Sequence, residues 1–283
     1  MKKILITGCN GQLGRALNQL LAGQDISIIN TDVDTLDICN REQVLHLVKD
    51  EKPDMIMNCA AHTAVDKCET DKENAHRINA LGPENLALAA REVDAGIIQV
   101  STDYVFDGSG KEPYVEDDKP CPQSVYGSTK LAGEQAVMAA TDKYYIVRTA
   151  WLYGDGNNFV KTMLRLAEER DRITVVNDQF GSPTSALELG RMLLHIADTG
   201  EYGIYHGTCE GFTSWYEFAV EIFRLAGKKV NVVPVTTEEY PAAVAKRPAY
   251  SVLENKKLNS QGSYRMKDWK AALEEYMAAR GYL

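Results

Sequence analysis

The 283-residue sequence predicts an α/β protein with a doubly wound parallel sheet and a smaller C-terminal lobe. Two observations predict the sheet: short apolar runs alternate with helical patterns over the first half of the chain, and a glycine-rich turn follows the first run. A third predicts the smaller lobe, because Tyr, Gly and Pro become frequent after about Trp151 and the regular alternation stops.

Five apolar runs are predicted to be parallel strands, at residues 4–7, 27–30, 55–59, 97–100 and 145–148. Helical patterns lie between them, for example at 12–21, where four leucines share one stripe, and at 84–91. Right-handed crossovers would place these helices on both faces of the sheet. Beyond the fifth strand, helices are expected at 159–170, 186–196 and 215–226.

The helix expected at 186–196 is apolar enough to pack against the sheet of the first domain, so each domain is expected to comprise more than one segment of the chain. We expect the first domain to comprise residues 1–152 with 185–203, and the second to comprise 153–184 with 204–283. No Gly/Ser-rich linker or internal repeat separates them, which indicates that the lobes pack closely.

The composition excludes several classes of protein. The chain has 31 Lys and Arg against 40 Asp and Glu, and a net charge of −9 argues against a nucleic-acid partner. No apolar run reaches the roughly 18 residues of a membrane span, and the N-terminal run is too short for a signal peptide. Six scattered cysteines without a C-x-x-C motif predict no metal site. We therefore expect a cytoplasmic, enzyme-sized protein.

A G-x-x-G-x-x-G motif at Gly8, Gly11 and Gly14 lies between the first strand and the first helix. The first glycine permits a tight turn, the second lets backbone N–H groups approach a pyrophosphate, and the third lets helix and strand pack closely. The alternative is that the glycines serve only to let the turn pack closely and bind no ligand. In this context the motif predicts a Rossmann-type dinucleotide site, formed by Gly8, Asn10, Gly11, Gln12, Leu13 and Gly14.

Asp32, after the second strand, and Arg15, after the last glycine of the motif, bear on the choice of dinucleotide. Asp32 stands at the end of that strand, where a carboxylate accepts hydrogen bonds from the adenosine ribose and favours NAD. Arg15 points the other way, because its guanidinium can pair with the 2′-phosphate of NADP. Asp37 and Ile38, further along, are expected beside the adenine. The sequence leaves NADH and NADPH both open.

Tyr126 and Lys130 stand four positions apart in a segment predicted to open a helix. They would share one helix face, so the ammonium would favour the ionised form of the phenol. Such a phenol can act as a general acid near neutral pH. A Tyr/Lys pair at this spacing also arises by chance in a chain with 14 tyrosines, so its meaning depends on its neighbours.

Thr102 supplies such a neighbour, because it follows the fourth predicted strand at the sheet edge where open α/β folds bind ligands. Beside the phenol, its hydroxyl would hydrogen-bond a carbonyl oxygen as that oxygen gains negative charge. The alternative is a hydroxyl that only caps the strand end. With Tyr126 and Lys130, Thr102 predicts a site for hydride addition to a carbonyl.

The glycine motif, the hydroxyl after the fourth strand and the Tyr-x-x-x-Lys pair together resemble the extended short-chain dehydrogenases/reductases. More narrowly, the chain resembles the dTDP-4-dehydrorhamnose reductase family. The segments that carry this resemblance span nearly the whole chain, at 59–67, 101–106, 157–159, 177–184 and 247–248.

The resemblance implies that NADPH or NADH reduces the 4-keto group of dTDP-4-dehydro-L-rhamnose (dTDP-6-deoxy-L-lyxo-4-hexulose), yielding dTDP-L-rhamnose for cell-surface polysaccharides. The smaller lobe would then bind the dTDP-sugar substrate. A homodimer is compatible with the resemblance, which implies neither a nucleic-acid nor a membrane partner.

The resemblance also implies a role for each site residue. Tyr126 would protonate the ketone oxygen, Lys130 would bind the nicotinamide ribose, and Thr102 would orient the carbonyl. The cofactor channel would be lined by Ala60, Ala61 and Thr63. The residues implied at the sugar nucleotide are Val65, Asp66, Thr102, Asp103, Tyr126, Trp151, Asn177, Gln179 and Arg247.

Two alternatives remain at this stage. A sugar-nucleotide 4,6-dehydratase or 4-epimerase shares the fold, but a dehydratase is expected to show Thr-Asp-Glu, whereas Tyr104 follows Thr102 and Asp103 here. A non-catalytic cofactor-binding regulatory subunit also shares the fold, and the presence of the Thr, Tyr and Lys counts against it.

Overall fold

The computed structural model describes residues 1–240 and 244–283. Its centre is a six-stranded sheet in the order β2-β1-β3-β4-β5-β10, with every neighbouring pair parallel. The strands are β1 Lys3–Thr7, β2 Ser27–Thr31, β3 Met55–Asn58, β4 Gly96–Thr102, β5 Tyr144–Thr149 and β10 Gly203–His206. The predicted Rossmann-type parallel sheet is confirmed. The strand β10 was not predicted, because its sequence, Gly-Ile-Tyr-His, contains no continuous apolar run.

Helices are found at the predicted segments 12–21, 84–91, 159–170, 186–196 and 215–226 and in the segment opened by Tyr126, whereas the other helices were not predicted. The helices are α1 Gln12–Leu21, α2 Arg41–Glu51, α3 Val65–Thr70, α4 Lys72–His76, α5 Gly82–Glu92, α6 Val125–Ala140, α7 Phe159–Glu169, α8 Ala186–Ala197, α9 Trp215–Leu225, α10 Lys256–Gln261 and α11 Trp269–Ala278. A π-helical turn, Arg77–Leu81, joins α4 to α5, and a 3₁₀ turn, Asp103–Val105, follows β4.

Each face of the central sheet carries its own apolar core, as expected for a parallel sheet covered by helices. On one face, α1 and α8 pack together, with Leu17 and Leu193 fully buried against the strands. On the other face, α2, α5 and α6 cover the sheet, with Val48 and Val137 fully buried. The predicted return of the 186–196 helix to the sheet is thus observed.

The smaller lobe has a third core, built from α7, α9, α11 and the paired strands β7 Arg172–Val176 and β12 Asn231–Val235. Two short strand pairs complete it: β6 Leu152–Tyr153 with β9 Thr184–Ser185, and β8 Phe180–Gly181 with β11 Thr213–Ser214.

The chain returns to the sheet more often than the predicted boundaries allow. Strand β10 extends past residue 203, and Leu258 of α10 and Met266 belong to the apolar core on the α1 side. We therefore propose the division 1–152 with 185–203, against 153–184 with 204–283, amended so that residues 204–206 and 256–266 count with the sheet.

Candidate active site

A cavity of about 1080 Å³ opens at the carboxyl edge of the central sheet and reaches into the smaller lobe. From the sheet lobe it is lined by Asn10, Gly11, Gln12, Leu13, Ala60, Ala61, Thr63, Val65, Asp66, Thr102, Asp103, Tyr126 and Lys130. From the C-terminal half it is lined by Trp151, Phe159, Gln179, Trp215, Thr237, Tyr240, Arg247 and Pro248, among others. Most of the site residues implied by the sequence therefore meet at one cavity.

The glycine turn forms a cradle that larger residues would fill. Gly8 has φ +65°, and a Cβ there would lie 2.8 Å from the backbone nitrogen of Ala60. A Cβ on Gly14 would collide with the Gly8 carbonyl oxygen, so helix and strand meet only because both residues are glycine. Since α1 has no side-chain N-cap, the first N–H groups of the helix are available to an anion. These features fit a dinucleotide pyrophosphate.

Asp32 and Arg15 both contact the glycine turn from outside the cavity lining. The Asp32 carboxylate accepts hydrogen bonds from the N–H groups of Asn10, at 2.9 Å, and Val33, at 2.8 Å. Arg15 Nε donates to the Asn10 carbonyl oxygen at 2.7 Å. Asp32, which favours NAD, and Arg15, which favours NADP, therefore bind the same residue of the turn: Asp32 binds the Asn10 N–H and Arg15 binds the Asn10 carbonyl oxygen.

Asp37 and Ile38 are not among the residues that line the cavity, and their position beside the adenine stays a prediction. Ile38 is buried in the core, where its side chain occupies the space beside Gly82. Asn85 Nδ2 donates to the Ile38 carbonyl oxygen at 3.1 Å, and the Asp37 carboxylate pairs with Arg77 at 3.2 Å. The loop after β2 is therefore tied down onto α5 and the π-helical turn.

Thr102, Tyr126 and Lys130 are positioned by the end of β4 and the first turns of α6. Thr102 is the last residue of β4, and Ser124 caps α6 by accepting the Gly127 N–H at 3.1 Å. Gly127 packs against the Tyr104 carbonyl, which seats the start of α6 on the turn after β4. A phenol, an amine and a hydroxyl are therefore brought to one wall of the cavity.

Burial dominates the electrostatics of this wall. It raises the pKa of the Tyr126 phenol above its ordinary value, and an interaction with the Thr102 hydroxyl only partly opposes the rise. Burial also lowers the pKa of Lys130 to about 8, against the attraction of Glu134. The predicted lowering of the phenol's pKa by Lys130 is not seen: burial outweighs the other effects on the phenol, and the Lys130 amine donates instead to the Val100 carbonyl oxygen at 2.6 Å. The phenol stays protonated at neutral pH, as a proton donor must.

Asp103 is the second acid of this wall. Thr102 Oγ1 donates to its Oδ1 at 2.8 Å, and burial raises the pKa of the carboxyl to about 6. The orientation of the Thr102 hydroxyl therefore depends on the charge of its neighbour.

Trp151 forms the floor of the cavity on the side of the smaller lobe. It adopts a left-handed backbone conformation, with φ +49°, and its indole stacks on that of Trp215 with ring centroids 3.5 Å apart. Gly181 packs so closely that a Cβ there would overlap the Trp151 indole. The result is a flat, fixed aromatic surface, suited to the apolar face of a sugar or to a base.

The remaining predicted substrate residues are divided between the cavity and its surroundings. Arg247 Nη2 pairs with Asp66 at 2.8 Å, and Nη1 donates to the Tyr104 hydroxyl at 3.2 Å. Asn177 does not line the cavity, and its Oδ1 accepts the Ser214 hydroxyl at 2.7 Å. Asn177 therefore supports the start of α9 in this structure.

Trp215 is the main wall residue that the sequence reasoning missed. Ser214 caps α9 by accepting the Glu217 N–H at 3.1 Å, and this Ser-x-x-Glu pattern agrees with the start predicted for the helix at residue 215. It could not predict which wall the first helical residue faces. Phe159, Thr237, Tyr240 and Pro248 were also missed, since their placement depends on the tertiary fold.

Within residues 1–240 and 244–283, no group of three or more His, Cys, Asp or Glu side chains is arranged to hold a metal ion. The same residues include no helix with the length and apolarity needed to cross a membrane.

Comparison with known proteins supports the resemblance found in the sequence. Residues 1–281 match the family described as RmlD substrate binding domain. The chain is 42% identical to dTDP-4-dehydrorhamnose reductase of Aggregatibacter actinomycetemcomitans, over 98% of this chain and 99% of that protein.

Solved structures give the same relationship. A dTDP-4-dehydrorhamnose reductase from Clostridium acetobutylicum superposes with a TM-score of 0.97 at 55% identity, covering 99% of both chains. That from Bacillus anthracis, solved in complex with NADP, gives 0.96 at 45% identity, covering 99% of this chain and 100% of the other. The chain therefore belongs to the RmlD substrate binding domain family and groups with its dTDP-4-dehydrorhamnose reductases.

Proposed function

We infer that this protein catalyses the NAD(P)H-dependent reduction of the 4-keto group of dTDP-4-dehydro-L-rhamnose to dTDP-L-rhamnose. The relatives named above carry that activity in their names, and one of them was solved with NADP. The observation that carries the proposal is the convergence of Thr102, Tyr126 and Lys130 on one cavity beside a pyrophosphate cradle.

The dinucleotide would lie along the carboxyl edge of the sheet. The glycine turn from Gly8 to Gly14 would hold the pyrophosphate, with Asp32 toward the adenosine ribose. Ala60, Ala61 and Thr63 would line the path to the nicotinamide, and Lys130 would bind the nicotinamide ribose. When bound, NAD(P)H supplies the hydride that adds to the keto carbon.

The sugar nucleotide would enter from the side of the smaller lobe. The hexose would lie between Val65 and Trp151, with its keto oxygen toward Thr102 and Asp103. The diphosphate and base would extend toward Gln179 and Arg247. Arg247 would then exchange its pairing with Asp66 for bidentate pairing with the diphosphate.

The protein's own residues complete the reduction by stabilising the negative charge on the keto oxygen and then protonating it. As negative charge develops there, the Thr102 hydroxyl would turn from Asp103 and donate its hydrogen bond to the keto oxygen, and Tyr126 would transfer its phenolic proton to form the product hydroxyl. Lys130, one helical turn away, would stabilise the phenolate left on Tyr126 once its ammonium, which donates to the Val100 carbonyl oxygen in this structure, turns toward the phenol. Because the pKa of Tyr126 is raised, the phenol stays protonated at neutral pH before the substrate binds.

The position after Asp103 favours a reductase over a dehydratase. Tyr104 stands where a dehydratase would need a second carboxylate, and its hydroxyl accepts a hydrogen bond from Arg247. An epimerase returns its hydride to the sugar, so it consumes no NADPH. One mole of NADPH oxidised per mole of dTDP-L-rhamnose formed, followed at 340 nm, would distinguish a reductase from an epimerase or a regulatory subunit.

The test of the catalytic assignment is Y126F with Y104F as a matched control, since the two rings contact each other with centroids 5.4 Å apart. Y126F should lower kcat by about 10²- to 10⁴-fold, the usual contribution of general acid catalysis, while the Kd for NADPH stays near that of the wild type. Y104F should cost far less than Y126F. A Y126F variant that turns over at the wild-type rate would refute the assignment.

The setting of the reaction is also a proposal. The six cysteines are all free thiols in the structure, which supports a reducing cytoplasm. A homodimer, taken from the family resemblance, is tested by light scattering on the purified protein.

A further inference from the structure

Two successive residues of β4 each bind one residue on the catalytic face of α6, and the third lines the cavity with Tyr126. The Val100 carbonyl oxygen accepts Lys130 Nζ at 2.6 Å, Ser101 Oγ donates to Glu134 Oε1 at 2.5 Å, and Thr102 lies on the same cavity wall as Tyr126. The three α6 residues are spaced four apart and therefore share one helix face. Glu134 thus extends the face of Tyr126 and Lys130 by one turn, into the interior.

The Glu134 carboxylate is fully buried and bound from two sides. Besides the Ser101 hydroxyl, it accepts Arg148 Nε at 3.0 Å and Nη2 at 2.8 Å, and Arg148 is itself only 2% exposed. Apolar residues of similar volume often replace such a buried ion pair without loss of stability. Stability alone therefore does not account for a charge placed here.

The charges around Lys130 show what this carboxylate can do. Burial drives Lys130 toward its neutral form, and Glu134 is the group that most strongly opposes this. The Cys59 thiol also faces Lys130, but burial raises its pKa to about 12. Beyond Glu134 lies Arg148, next to the buried His206, whose pKa is lowered to about 3 by burial and by Arg148.

The remaining titratable groups near α6 face its first turn instead. Asp103, Tyr104 and Cys68 act on Tyr126, and the Glu69 carboxylate accepts the Val125 N–H at 2.8 Å. Glu134 is thus the acidic group placed to act on Lys130 from within the helix.

We propose that Glu134 is a positioning residue for Lys130: its buried carboxylate, held by Ser101 and Arg148, keeps the amine charged and fixes the catalytic face of α6 against β4. The value of this charge rests on the proposed function, in which Lys130 must be cationic to stabilise the Tyr126 phenolate. The electrostatic effect itself does not depend on turnover, so it can be measured on the protein without cofactor.

The experiment measures the titration of Lys130 by NMR in [ε-¹³C]lysine-labelled protein, with the signal assigned by its absence from K130R. E134Q should lower the pKa of Lys130 by about one unit, because it removes the nearest opposite charge and leaves Arg148 unbalanced. R148M, which leaves Glu134 unbalanced, should raise it. The alkaline limb of kcat/KM should move in the same direction as the NMR titration in each variant.

The double variant E134Q/R148M covers the case in which a single variant fails to fold, because it leaves no buried charge without a partner. Its Lys130 pKa should lie below that of the wild type, since Glu134 is the charged group that most strongly raises the pKa of Lys130. An unchanged pKa in E134Q or in the double variant, or shifts of the same sign in E134Q and R148M, would overturn the proposal. Opposite shifts in a protein that reduces no sugar would uphold it and refute the proposed function instead.

Discussion

At the scale of single residues, the candidate site holds three ionisable groups that burial pushes toward their neutral forms. Asp103 and Tyr126 keep their protons to higher pH, and Lys130 loses its proton at lower pH. Sequence spacing predicts that Tyr126 and Lys130 share a helix face. It could not predict the direction of the phenol's pKa, because that depends on how completely the fold excludes water and on the Val100 carbonyl that binds the amine.

Asp103 gives a stability prediction at this scale. Its pKa is raised from an ordinary value of 3.8 to about 6, so the unfolded chain releases the proton first and the stability contributed by this group is lost as the pH rises from about 4 to 6. D103N has no proton to release. The free energy of unfolding of D103N, relative to the wild type, should therefore increase by about 2 kcal/mol between pH 4 and pH 7 in urea titrations.

D107N is the control for that measurement, because the pKa of the half-buried Asp107 is shifted the other way. The Tyr114 hydroxyl, donating at 2.6 Å, holds the pKa of Asp107 at about 2. D107N should therefore show no stabilisation as the pH rises. A D103N difference that is flat with pH would mean that folding does not raise the pKa of Asp103.

At the scale of elements, the sequence predicts where α6 begins and which face carries the catalytic pair, but not which element packs against the helix. The start of the helix and the face of its catalytic pair were readable from sequence, because both follow from local spacing. The element packed against α6 could not be predicted, because the π-helical turn Arg77–Leu81 has no distinct sequence pattern. In the structure the Asn79 carbonyl oxygen of this turn lies directly over Gly133. The close approach of two backbones, rather than a turn, explains this glycine in the helix.

Replacing Gly133 tests that contact. An alanine in a helix interior normally gains up to about 1 kcal/mol over glycine, but here its Cβ would meet a backbone oxygen that cannot move aside. G133A should therefore lower the free energy of unfolding by about 2 kcal/mol, the usual cost of overpacking. G190A in α8 is the matched control, because its Cβ would meet only the mobile tip of Leu20 at 2.9 Å and should cost little. Equal effects in urea unfolding would show that the Asn79 contact is unimportant.

At the scale of the whole molecule, the sequence predicted the sheet and a second lobe, but not how often the chain passes between them. The alternation of strands and helices is local and regular over the first 150 residues, so it could be read. Strand β10 and helix α10 pack with the central sheet through long-range contacts, which produce no periodic pattern in the sequence. For the same reason the wall formed by Trp215 could not be predicted from sequence.

The two lobes are also joined by an ion cluster, which gives a prediction for the whole fold. Glu275 of α11 accepts both Arg191 of α8, at 2.6 and 3.1 Å, and Lys267, at 2.7 Å. These partners lower the pKa of Glu275 from 4.5 to about 2. A lowered carboxyl pKa stabilises the fold above the unfolded pKa, so the contribution should be complete above about pH 5 and lost as the pH falls from 4.5 toward 2.

E275Q should therefore lower the free energy of unfolding by about 1 kcal/mol at pH 7, a modest value because the carboxylate is one-third exposed and screened by water. The deficit should shrink as urea titrations are carried from pH 7 to pH 3, since the wild type then loses the same charge. E274Q, at the exposed neighbouring position, should match the wild type at every pH. If E275Q shows a deficit that does not change with pH, its cause is packing and not charge, and the cluster does not hold the lobes together electrostatically.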